Sequence, residues 1–137
     1  MNITAMYFSG TGTTKKVTAA IADELTVIKI SQDKTAADEK PSSIKAGIKP
    51  WQRAEDIDFT PPAARREIYR FTPDDLVVFG VPVIAGRVPN VLLKFLDTLQ
   101  GGGALAVPVV LYGNRNFDDA LIELRNILQD RGFYAIG

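Results

Sequence analysis

The chain has 137 residues, 46% of them apolar, and its 16 basic and 16 acidic side chains cancel. This size and composition suit one globular domain with a real core, residues 1–137, and the neutral balance excludes a nucleic-acid binder held by bulk charge. Cysteine and histidine are both absent. Disulfides, thiol nucleophiles, thiolate-held iron–sulfur or zinc sites, serine–histidine triads and most transition-metal sites are therefore excluded within this chain. Any chemistry is expected to reside in a bound cofactor. The longest uncharged apolar run, Leu76 to Gly86, is about half the roughly 20 residues a membrane helix needs. The N-terminus lacks the basic start and long apolar segment of a signal peptide, so a cytoplasmic protein without membrane contact is expected.

In chain order, Ile3 to Phe8 reads as a strand. Thr14 to Leu25 reads as a helix, with Val17, Ile21 and Leu25 on one face. Val27 to Ile30 is a candidate second strand. Residues 32–66 are polar, broken by Pro41, Pro50, Pro61 and Pro62, and read as an irregular insertion. Within it, Ile57 to Thr60 competes with Val27 to Ile30 for the sheet edge. Trp51, the one tryptophan, is either a lid over a ligand or an anchor for the insertion, and the anchor is the simpler role. Leu76 to Val83 is nearly all apolar, as expected of a central parallel strand covered on both faces.

Pro89 suits a first helical turn. Leu92, Phe95, Leu96 and Leu99 follow at helical spacing, and Gly101-Gly102-Gly103 is expected to end that helix. Val107 to Tyr112 is the next strand. Asn116 suits a helix cap, with Asp118 and Asp119 in the first turn. Leu121, Leu124 and Leu128 form that helix's apolar stripe, Gly132 closes it, and Phe133 to Ile136 starts a last strand. Strands alternating with helices predict a doubly wound parallel α/β sheet.

Ligands of such sheets sit beyond the carboxyl ends of the strands. After the first strand comes Ser9-Gly10-Thr11-Gly12-Thr13-Thr14, with four hydroxyls in six residues. Amides at a helix start lack partners within the helix, and the dipole is positive there, so phosphate is the expected occupant. The loop does not match the G-x-x-x-x-G-K-[ST] pattern of a nucleoside-triphosphate loop, and it lacks the third glycine of a dinucleotide fingerprint, since position 15 is Lys15. A single phosphate monoester held without a metal fits it, and a plain hydroxyl cap with no ligand stays open beside that reading. Two further glycine-bearing loops fall on the same rim, Pro82-Val83-Ile84-Ala85-Gly86-Arg87 and Tyr112-Gly113-Asn114-Arg115-Asn116-Phe117. Three such loops can surround a flat ring and its tail. The central strand ends in Pro82 without an aspartate to accept phosphate, which argues against a phospho-receiver domain.

With these three loops in this order, the chain resembles the flavodoxin family. The run Val78 to Pro89 and the run Tyr112 to Leu121 are most similar to the flavodoxin-like half of flavodoxin–ferredoxin fusion proteins. The likeness spans all but residues 32–66. It implies the strand order 2-1-3-4-5 and a bound FMN. Ser9, Gly10, Thr11, Gly12, Thr13 and Thr14 would hold its phosphate, and Pro82, Val83, Ile84, Ala85, Gly86, Arg87, Tyr112, Gly113, Asn114, Arg115 and Phe117 would flank its ring. Ile84 stands where many relatives carry a stacking aromatic, and Phe117 occupies a second stacking position. Arg87 and Arg115 would make the reduction potential less negative than in acidic relatives. The implied function is electron transfer with a redox protein, a ferredoxin-like module among the candidates. An FMN-dependent reductase of a small substrate and a flavin-free interaction domain remain open. The family's fold continues into a further covering helix, so a fragment ending at Gly137 would bare apolar sheet surface and self-associate.

Overall fold

The computed structural model describes residues 2–9, 12–39, 51–82, 88–111 and 117–136, with 29–39 and 117–119 described by their backbone. Strands β1 (Asn2–Tyr7), β2 (Gln52–Arg53), β3 (Ile57–Asp58), β4 (Asp75–Pro82), β5 (Leu105–Leu111) and β6 (Tyr134–Ala135) form one sheet. Every described pairing in it is parallel. Helices α1 (Thr13–Glu39), α2 (Asn90–Leu96) and α3 (Phe117–Asp130) complete the architecture.

The sheet order is β2-β1-β4-β5-β6, with β3 also paired to β1. Because β2 and β3 are two pieces of one edge, this is the flavodoxin-like order 2-1-3-4-5, as expected. Alternation along each strand sends side chains to opposite faces. Ile3, Ala5, Tyr7, Leu76 and Val78 form a buried cluster with Ala22 of α1. Met6, Val77, Phe79 and Val81 join Leu92, Phe95 and Leu96 of α2 and Leu124 and Leu128 of α3. The sheet is therefore doubly wound. On the α1 face, Leu105, Val107 and Val109 are only partly buried, and Tyr134 and Ile136 are exposed.

Of the two candidates for the edge, the second is the strand. Val27 to Ile30 lies inside α1, and Ile57–Asp58 takes the place beside Met6 and Tyr7. No glycine or proline falls between Gly12 and Pro41, so nothing stops the helix after Leu25. The hydroxyl of Thr26 donates to Ala22 O at 2.8 Å, within the helix. The described residues of this stretch, 32–39 and 51–66, are accordingly less irregular than expected. They hold the end of α1, both edge strands and a 3-10 turn at Ala64–Arg66. Trp51 packs on the α1-side cluster, next to the Asn2 end of β1. That is the end of the sheet away from Ser9, so it anchors the edge.

From Ile3 to Met6 the register advances three residues on β1 but four on the edge, from Arg53 to Ile57. One extra residue makes a bulge, which re-aims the rest of the edge. Arg53 holds it. Its Nη1 donates to Ala54 O at 2.6 Å, its Nη2 pairs with Asp56, and its Nε reaches Asp23 of α1 at 2.8 Å.

Helix α2 stops at Leu96, before the expected Leu99. The Thr98 hydroxyl donates to Phe95 O at 2.6 Å, and the amides of Thr98 and Leu99 make tight three-residue bonds. Such side-chain bonds compete with helix continuation, although Leu99 is still buried. Helix α3 ends as expected. Gly132 has φ 93°, and the bonds from Gly132 N–H to Gln129 O and Phe133 N–H to Leu128 O make a Schellman motif. No described helix is long and apolar enough to cross a membrane.

Candidate functional site

The carboxyl ends of β1, β4 and β5 share one rim, since Tyr7 pairs with Gly80, Gly80 with Val109, and Pro82 with Leu111. Pro82 closes β4 and Phe117 opens α3 on this rim. Gly10, Thr11, Val83, Ile84, Ala85, Gly86, Arg87, Tyr112, Gly113, Asn114 and Arg115 lie outside the described residues, as does the side chain of Phe117. The described part of the site is the junction of β1 and α1, with Ser9, Gly12, Thr13 and Thr14.

Gly12 adopts φ 89°, and a side chain there would meet nothing within 4 Å. Its φ demands glycine, and the space beside it is open. Gly12 O accepts the Lys16 N–H at 3.1 Å, which starts the helix. The amides of Thr14 and Lys15 then have no carbonyl within the helix to bond to. Thr14 is buried, while Lys15 and Lys16 are exposed. The first turn carries no acidic residue. Lysines at a helix N-terminus oppose the dipole, where acids are the stabilising choice. Their placement here makes the junction doubly positive.

Two buried polar atoms among the described residues have no partner, Ser9 Oγ and Thr18 Oγ1. A buried hydroxyl left unsatisfied costs about 1–3 kcal/mol. Ser9 is the last described residue between β1 and Gly12, and a hydrogen-bonding ligand bound beside it would satisfy its Oγ. Hydroxyl and amide donors of this kind are groups that can hold an anion.

The wall opposite the helix was not legible in the sequence. Ser9 N–H donates to Thr60 Oγ1 at 2.8 Å. Asp58 Oδ1 accepts both the Thr60 hydroxyl and, at 2.9 Å, the Thr60 N–H. Arg65 Nη1 donates to Thr60 O at 2.6 Å and Phe59 O at 3.0 Å, and its guanidinium lies 5.5 Å from the centre of the Phe8 ring. Phe59 roots this wall in the core, with its ring 4.8 Å from that of Phe95 and 5.2 Å from that of Phe79. Ser9 and Thr60 are 51 residues apart, and no local pattern links them. A second tie, from Val88 N–H to Glu123 Oε1 at 2.9 Å, fixes α3 to the start of the α2 segment.

Tyr7, next to the junction, is pushed up to about 12. Burial is the main cause, and the nearby carboxylates of Asp56 and Asp58 add to it. Its hydroxyl donates to Asp56 Oδ2 at 3.3 Å. It stays a neutral donor at physiological pH and is no candidate for proton transfer there. The chain matches no protein-family model, and no curated protein matches it.

Proposed function

We propose that this chain is an FMN-binding electron carrier of the cytoplasm, related to the flavodoxin family, that exchanges electrons with a redox protein such as a ferredoxin-like module. The observation that carries the reading is the buried, unpartnered Oγ of Ser9, in the connection from β1 to the lysine-bearing start of α1. Ser9 and Thr14, with Gly10 and Thr11 of the same loop, would bind the phosphate through hydroxyls and amides. Lys15 and Lys16 would draw the anion in without occupying its site. Gly12 would let the ligand come close to the backbone, because nothing stands beside it. The loops after Pro82 and Leu111 would flank the ring. The ring, when bound, supplies reversible storage of electrons, which a chain without cysteine or histidine cannot provide for itself.

Spectral titration with FMN tests the proposal. Stoichiometric binding with a perturbed visible spectrum supports it, and no binding removes it. Steady consumption of NADPH by the loaded protein alone, without a protein acceptor, would replace the carrier by a reductase.

A further inference from the structure

The Ser9 amide and the Ser9 hydroxyl have different employment. The amide donates to Thr60 Oγ1 at 2.8 Å, so it is not available to an anion. The hydroxyl oxygen is buried with no partner. Thr60 in turn has its single hydroxyl proton directed at Asp58 Oδ1, which leaves its oxygen to accept from Ser9. Its oxygen also lies 3.5 Å from Ser9 O. Both backbone groups of Ser9 thus face one side chain, and the carbonyl of Thr60 is held by Arg65.

We infer that Thr60 is a positioning residue for the phosphate site, orienting Ser9 so that its side chain, and not its amide, meets the anion. The inference rests on the FMN reading and deepens it. Thr60 does not touch the ligand. Asp58 sets the polarity of the Thr60 hydroxyl, and its own register beside Tyr7 places it at the carboxyl end of β1. The edge segment, which carries none of the loop motifs, therefore helps to decide how well a phosphate is held. A side chain that merely filled space beside Ser9 would not discriminate between ligands with and without that group.

The test is a double-mutant cycle read as the ratio of riboflavin Kd to FMN Kd, measured by quenching of flavin fluorescence. Thr60→Val keeps the shape and removes the acceptor, and it should lower the ratio about tenfold, the size of one charge-assisted hydrogen bond. Thr60→Ser should keep the ratio. In a Ser9→Ala background Thr60→Val should change nothing further, because its route runs through Ser9. A ratio unchanged by Thr60→Val, or losses that multiply in the double variant, would overturn the inference. If Thr60→Val does not fold, Asp58→Asn decides. A lowered ratio supports the role, and a wild-type ratio contradicts it. A wild-type chain with no preference for FMN over riboflavin would instead remove the phosphate reading itself, and this inference with it.

Discussion

The hydroxyl of Thr18 occupies the space that a side chain on Gly80 would need. Helix α1 thus rests directly on the backbone of β4, one turn below Thr14, whose methyl group also approaches that position. This contact sets the height of the helix start above the sheet, and with it the position of the candidate anion site.

Gly80→Ala should therefore destabilise the protein by about 1–3 kcal/mol, the usual cost of forcing a methyl group into a packed core. Urea unfolding followed by far-UV circular dichroism measures it. Adding Thr18→Ala should recover most of the loss, since it removes the colliding hydroxyl. Thr18→Val alone should be neutral or stabilising by about 1 kcal/mol, because the hydroxyl it removes is buried without a partner. A clear loss of stability in Thr18→Val would show that this hydroxyl has a partner after all.

Tyr7 gives the protein an alkaline limit. Its hydroxyl is pushed up to about 12 in the fold, against an ordinary value near 10. Between these values the unfolded chain has lost the proton and the folded chain keeps it. Stability from Tyr7 is thus complete below about pH 10 and falls as pH rises towards about 12. Tyr7→Phe should flatten that fall. Unfolding midpoints in urea from pH 8 to 11.5 check it, and equal slopes for both proteins would contradict the burial of the phenol.

The acids around Arg53 should differ in weight. Asp23 is largely exposed, with 66% of its side chain open to solvent, so Asp23→Asn should cost less than about 0.5 kcal/mol. Asp56→Asn should cost more. Its carboxylate takes Arg53 on one oxygen and Tyr7 on the other, so two elements lose a charged acceptor. It should also reduce the displacement of Tyr7, and a spectrophotometric titration of the tyrosines would show the shift. Equal costs for the two variants would mean that the bulge does not depend on this carboxylate.

Continuous features were legible in the sequence, and long-range ones were not. The apolar run from Leu76 marks β4 almost to the residue, because a strand buried on both faces leaves no other composition. The turn at Gly132 was readable for the same kind of reason, since a local backbone need selects a local residue. Val27 to Ile30 misled. Three β-branched positions in four resemble a strand, but a strand needs a turn before it, and Thr26 alone supplies none. The helix continues, and Ile57 gains the edge through its register with Met6. At the site, the hydroxyl loop announced itself by composition. Its support did not. Ile57 to Thr60 was readable as a candidate strand, but nothing in its spacing shows that Thr60 bonds Ser9, or that Asp58 and Arg65 hold Thr60 in turn.

In the proposed function, the junction of β1 and α1 binds the phosphate of FMN. Parallel titrations of the wild-type chain with FMN and with riboflavin test it most directly, because the two ligands differ only in that group. FMN should bind markedly more tightly. Thr11→Ala should weaken FMN roughly 10- to 150-fold, the loss of one hydrogen bond to a charged group, while riboflavin binding barely changes. Equal affinities for the two ligands in the wild-type chain, or equal losses in Thr11→Ala, would contradict it.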